Sequence, residues 1–63
     1  MTANIQVGAR VRILEPDYVA GQTGIIVSRE ILSDGKVSRR WIVQVESEEI
    51  LLSLDPEQFL VLS

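Results

Sequence analysis

The chain has 63 residues and carries one hydrophobic core at most, so we expect a single domain over residues 1–63, with 1–6 as a flexible lead-in. Its 46% hydrophobic and 24% charged residues match ordinary globular usage and argue against intrinsic disorder. It has no cysteine and no histidine. Their absence excludes disulfide bonds, thiolate or imidazole metal sites and a cysteine nucleophile, and it removes the most common general base.

The choice of apolar residues favours β-strands. Fifteen residues are isoleucine or valine, against seven leucines and three alanines. β-branched side chains lose rotamer freedom in helices and pack well on pleated sheets. The first strand is predicted over residues 7–14, where Val7, Val11 and Ile13 share one face and two arginines lie on the other.

A β-hairpin is predicted next. Pro16 ends the first strand because proline cannot donate to the sheet, and a loop leads through Gly21 and Gly24 into a second strand at 25–32. Asp34-Gly35 then lies between two apolar-rich strands, which favours a two-residue type I′ turn. Such a turn fixes the register. The predicted cross-strand pairs are Gly24–Val45, Ile26–Val43, Val27–Ile42, Ser28–Trp41, Arg29–Arg40 and Glu30–Arg39.

The last third of the chain predicts two more strands separated by a helical turn. A polar turn at 46–49 leads into a fourth strand at 50–54, whose alternate apolar residues share one face. Residues 55–58 combine aspartate, proline and a glutamine three positions after the aspartate, which is typical of a capped helical or 3₁₀ turn. A short fifth strand follows at 59–62. Five short strands without a crossover helix predict an all-β domain, a small and strongly bent antiparallel barrel.

Two glycine-centred spacings carry a family resemblance. They are Gly8-x-x-Val11-x-Ile13 and Gly21-x-x-Gly24-x-Ile26. They resemble the KOW motif of the SH3-like barrels found in ribosomal proteins and NusG-type transcription factors. The Asp-Pro-Glu-Gln segment before the last strand resembles the 3₁₀ turn of SH3-like barrels. The chain is also similar to small accessory barrel subunits of photosynthetic complexes. The resemblance implies a five-stranded SH3-like barrel, with RNA, ribosome or RNA polymerase binding as one function.

The charges are segregated along the chain. The net charge is −3, and all six basic residues precede residue 41, whereas residues 41–63 hold five acids and no base. The KOW-like segment also has Ala9 where an acid is usual, and Glu15 and Asp17 in its loop rather than basic residues. This acidic balance disfavours nucleic acid as the partner. The chain has no apolar run long enough for a membrane span and no signal-peptide pattern, which predicts a cytoplasmic protein.

The sequence gives little indication of catalytic activity. A carboxylate pair among the nine acids is the only remaining acid–base arrangement, and nothing indicates a cleft around one. Glu46, Glu48 and Glu49 could bind a hard cation, but a polar turn explains them equally well and they lack the spacing of a calcium loop. We therefore predict no catalytic residue, no metal and no cofactor, and an enzyme is only a remote alternative.

The predicted hairpin supplies a candidate interaction surface. Arg29 opposite Arg40 would hold two like charges together, either screened by solvent and carboxylates or kept for an acidic partner. Val27 and Ile42 form a second apolar row that is either covered by the loop or the termini, or exposed as an interface. Tyr18 is the aromatic residue expected on the surface, with Trp41 and Phe59 in the core. These residues predict a non-catalytic interaction module or accessory subunit that docks a larger or acidic protein.

Overall fold

The computed structural model describes residues 5–63, and strands joined by tight turns account for most of them. Five strands and two 3₁₀ turns follow one another along the chain. They are β1 (Arg10–Ile13), η1 (Asp17–Val19), β2 (Thr23–Ile31), β3 (Val37–Val45), β4 (Ile50–Leu54), η2 (Pro56–Gln58) and β5 (Phe59–Val61). The predicted all-β class is confirmed, and so is the 3₁₀ turn before the last strand. The turn η1, within the loop after β1, was not predicted.

All five strands form one antiparallel sheet in the order β4-β3-β2-β1-β5. The chain leaves the sheet after β4, turns through η2, and returns as β5 along the far side of β1. The amide of Asp55 donates to Oε1 of Gln58 at 2.8 Å, which fixes the start of η2 as the sequence predicts. The sheet is not closed: β4 and β5 are its two edges.

The core lies on the inner face of this sheet. Alternate residues of every strand point to that face, because side chains in a strand alternate with a period of two. Eight apolar side chains are buried there, namely Val11, Ile13, Val19, Ile26, Val43, Val45, Leu54 and Phe59. Trp41 is half-buried and packs against this cluster. The prediction for Val7 is wrong, because it precedes β1 in a turn and is 65% exposed.

Gly24 allows β2 and β3 to approach closely. It is buried, and a Cβ atom at this position would lie 2.7 Å from the carbonyl oxygen of Gln44 and 2.7 Å from Cγ1 of Val43. Neither contact is possible between real atoms, so only glycine fits this point of the sheet. The glycine therefore permits the close approach of the two strands at the start of β2.

The predicted hairpin register holds only near the core. Gly24 opposes Val45 and Ile26 opposes Val43, as predicted. Val27 is then left without a direct partner at a bulge, and the predicted pairs beyond it are wrong. The observed pairs there are Ser28–Ile42 and Arg29–Trp41. The extra residue in β2 therefore moves Arg29 away from Arg40 and places it beside the tryptophan.

The hairpin turn has three residues rather than the predicted two. The amide of Leu32 donates to the carbonyl of Lys36 at 2.8 Å, and the amide of Gly35 donates to the carbonyl of Leu32 at 2.9 Å. Residues 33–35 thus form the loop, and Gly35 closes it with a φ of 85°. Oδ1 of Asp34 accepts a hydrogen bond from the Lys36 amide at 2.9 Å, which stabilises this longer turn.

The hairpin projects beyond the rest of the sheet. Strands β2 and β3 have nine residues each, whereas β1 has four and β4 has five. β1 pairs with β2 only over Thr23–Ile25, and β4 pairs with β3 only over Trp41–Val45. Residues 28–31 consequently pair only with β3, and residues 37–40 have no strand partner other than β2. We call this two-stranded segment the hairpin ribbon.

Candidate interaction surface

Arg29 and Trp41 stack at the base of the hairpin ribbon. Cζ of Arg29 lies 4.7 Å from the centre of the Trp41 ring, within the range of a cation–π contact. Nε of Arg29 donates to the carbonyl of Ser38 at 3.1 Å, which holds the guanidinium over the ring. No carboxylate of residues 5–63 forms an ion pair with Arg29. The remaining N–H groups of the guanidinium face no acidic partner in this part of the chain.

Two aliphatic side chains lie farther along the ribbon. Ile31 directly opposes Val37, and a second register shift separates this pair from the pair of Arg29 with Trp41. Alternation along β2 puts Ile31, two residues after Arg29, on the same side of the strand as the arginine. Ile31 and Val37 are each 58% exposed. Because Trp41 packs against the core, the apolar surface runs from the core outward along the ribbon. We call Trp41, Arg29, Ile31 and Val37 the ribbon strip.

Arg40 forms an ion pair with the segment that directly follows β4. Its Nε lies 3.5 Å from Oδ1 of Asp55, the residue before η2. Arg39 pairs with Glu57 and also approaches Asp55 at 4.0 Å. The predicted pair of Glu30 with Arg39 is therefore absent. Glu30 instead accepts a hydrogen bond from Oγ of Ser53 at 2.9 Å.

The outer face of the hairpin carries less apolar surface than the sequence suggested. Ile42 is half-buried and lies between Ser28 and Ser53 in the sheet, so serines interrupt the predicted apolar row. Val27 is exposed at the bulge. Tyr18 is 67% exposed on η1, where the sequence predicts an exposed aromatic residue. The five predicted contact residues thus do not form one continuous surface of strand neighbours.

The acidic turn at 46–49 binds neighbouring polar groups of the chain. Glu46 accepts a hydrogen bond from Oγ1 of Thr23 at 3.1 Å and lies 3.7 Å from Nε of Arg10. Glu48 accepts one from the Gln22 side chain at 2.9 Å, and Ser47 donates to the same glutamine. A cleft at this place is lined by Gly21, Gln22, Thr23, Glu46 and Ser47. Over residues 5–63, no three acidic side chains converge in a way that would hold a metal ion.

Two further observations bear on the class of protein. Neither helical turn in the described part of the chain has the length and apolar character needed to cross a membrane. Comparison of the chain with protein-family models, curated proteins and solved structures finds no match.

The sequence held only a partial signal for the ribbon strip. It identified Arg29 as a contact residue, but it assigned the arginine to the outer face of the hairpin. Ile31, Leu32 and Val37 surround a turn sequence, and side chains at a hairpin tip are the farthest from any core. Three large apolar residues at such a position are the signal that could have indicated the strip.

Proposed function

We propose that this protein is a non-catalytic interaction module with an SH3-like barrel fold, which docks a larger protein partner through the ribbon strip. The strand order supports the fold, because β5 returns beside β1 after a 3₁₀ turn. The KOW-like spacing supports it too. Its two leading glycines, Gly8 and Gly21, have φ values of 93° and 87°, which other residues rarely adopt.

The ribbon strip is the observation that carries the proposal. A two-stranded ribbon is only marginally stable in water, and apolar side chains exposed on it gain no burial within the chain. Here Ile31 and Val37 follow the stacked arginine and aromatic ring along the same two strands. Aliphatic and aromatic groups bordered by arginine are typical of protein interfaces. A partner that covered the strip would bury these apolar side chains in continuity with the core.

Arg29 indicates the chemistry of that partner. A stacked guanidinium keeps its planar set of donors available, and these match the two oxygens of a carboxylate. The partner surface is thus apolar with an acidic residue placed to reach Arg29. Arg40 is assigned a structural role with Asp55, and Val27, Ile42 and Tyr18 are not required for docking at the strip.

Affinity capture with matched variants tests the proposal. The wild-type chain, an Ile31→Ser/Val37→Ser variant and a Leu60→Ser/Leu62→Ser control are immobilised and exposed to native cell lysate. The control residues lie in or after β5 and are also about half exposed, at 52% and 46%. We expect one protein to be captured by the wild type and the control and lost from the ribbon variant. Equal capture by all three chains would contradict docking at the strip.

A KOW-type contact with RNA, the ribosome or RNA polymerase is the alternative. Arg10 and Arg12 follow the first motif glycine and are exposed on β1. Arg10 is paired with Glu46, however, and the molecule is acidic overall. Capture of a ribonucleoprotein that nuclease treatment releases would favour this alternative over a protein partner.

A further inference from the structure

Strand β4 presents an open edge to its surroundings. In the described part of the chain it pairs with β3 alone. An antiparallel strand directs half of its backbone N–H and C=O groups toward each side, so the edge of β4 that faces away from β3 carries hydrogen-bonding groups with no strand beside them. Such an edge is a template for another strand.

This edge lacks the features by which proteins usually prevent strand addition. Its sequence, Ile-Leu-Leu-Ser-Leu over Ile50–Leu54, contains no charge and no proline. Its pairing with β3 is continuous over all five residues, without a bulge. Leu51 is 61% exposed on the outer face. The opposite edge, β5, has only three residues. Short length, charge, proline and bulges are the normal protection, and β4 has none of them.

The charges around β4 select the kind of strand that fits. Glu49 directly precedes the strand, and no cation of residues 5–63 lies within 4.0 Å of its carboxylate. Glu48 accepts a hydrogen bond from Gln22, before β2, which is on the side of β3 away from this edge. Asp55 follows the strand and is already paired with arginine. A basic residue on an incoming strand would therefore find its best site beside the start of β4, since opposite charges across a strand pair are favourable.

A second copy of the chain fits this edge poorly. Antiparallel pairing centred on Leu52 would place Glu49 of each copy opposite Asp55 of the other. Parallel pairing in register would place each acid against itself. Parallel pairing is destabilising because it brings two Glu49 carboxylates together. Antiparallel pairing gives Glu49 no basic partner, because the aspartate opposite it is already paired with Arg40.

We propose that the β4 edge binds an extended apolar segment of another protein that carries lysine or arginine at the end beside Glu49. The segment adds a sixth strand, main-chain hydrogen bonds to β4 supply affinity, and the flanking basic residue supplies selectivity through Glu49. This surface is distinct from the ribbon strip, and the proposal does not depend on docking there.

A peptide titration followed by NMR tests the proposal. The probe is the capped peptide Lys-Val-Thr-Val-Thr-Val-Lys, and its counterpart carries glutamate in place of both lysines. We expect the basic peptide to shift the amide signals of Ile50–Leu54 and to slow their hydrogen exchange. The acidic peptide should bind about fivefold more weakly, because the favourable charge pair with Glu49 becomes unfavourable. Binding of both peptides with equal affinity would overturn the proposal.

Variants of the protein separate the edge from other surfaces. Leu51→Lys should weaken binding of the basic peptide, whereas Leu60→Lys on β5, with similar exposure, should leave it unchanged. Glu49→Lys should reverse the preference and favour the acidic peptide. The Ile31→Ser/Val37→Ser variant should bind like the wild type, which separates this result from the test of the ribbon strip. Shifts confined to β5, no shifts at millimolar peptide, or a dimer abolished by Leu51→Lys would each contradict the proposal.

Discussion

Gly35 closes the hairpin loop in a backbone conformation that a side chain disfavours. Its φ is 85°, and no atom lies within 4 Å of the position that a Cβ would take. Replacing it with alanine thus adds backbone strain without a steric clash. We expect Gly35→Ala to lower the free energy of unfolding by about 1 kcal/mol, measured by urea denaturation.

Gly35→Asn is the matched control for this prediction. Asparagine tolerates the left-handed region better than alanine does, so the loss of stability should be smaller. If both variants lost the same amount of stability, the backbone angle of Gly35 would not be the cause, and another feature of the loop would determine the loss.

Arg29 shows what one additional strand residue does to a side chain. The alternation of the sequence places it on the outer face, opposite Arg40. The bulge at Val27 reverses the direction of the residues that follow, so Arg29 reaches Trp41 on the inner face instead. The sequence thus identified the residue but not its environment, because the environment depends on a bulge several residues earlier.

The elements that the sequence predicts best are those with a complete local pattern. Alternation around Val11 and Ile13 predicts β1, and the Asp-Pro-x-Gln spacing predicts η2. The bulge in β2 has no such signal. Residues 25–27 are three consecutive β-branched apolar residues, so no polar position marks the point where the alternation shifts. The predicted length of the hairpin loop was wrong for a related reason, since an Asp-Gly pair also fits a three-residue loop.

The contact between Arg40 and Asp55 joins β3 to the segment before η2. Both side chains are partly exposed, with 52% and 28% of their surfaces accessible, so the pair is screened by water. We expect Arg40→Thr to lower the free energy of unfolding by about 0.5 kcal/mol, and a double-mutant cycle with Asp55→Asn to show coupling of the same size.

Arg12→Thr serves as the control for this cycle, because Arg12 is exposed on β1 and forms no ion pair in the described chain. The free energy of unfolding of the Arg12→Thr variant should stay close to that of the wild type. A different result for Arg40 would change its assignment. If Arg40→Thr left stability unchanged and weakened binding of an acidic partner, Arg40 would belong to the docking surface after all.

At the scale of the molecule, the ribbon strip is a consequence of unequal strand lengths. β2 and β3 extend past both of their neighbours, so the last apolar pair of the hairpin lies beyond the core. Local patterns predict where a strand exists, but they do not predict how far it extends past the strands beside it. The interaction surface was therefore less predictable from the sequence than the fold class.

The charge distribution of the whole molecule predicts weak binding to nucleic acid. Three of the six basic residues form ion pairs with acids of the chain, namely Arg10, Arg39 and Arg40, and the net charge is −3. Affinity for nucleic acid comes mainly from the release of counterions by unpaired basic groups that contact several phosphates. Fluorescence anisotropy with single-stranded and duplex RNA at physiological salt should thus show nothing tighter than about 10⁻⁴–10⁻⁶ M, the range of non-specific association. Lower salt should strengthen any binding that is seen. Sub-micromolar affinity at physiological salt would instead support the KOW-type function and would place the arginines of β1 at its centre.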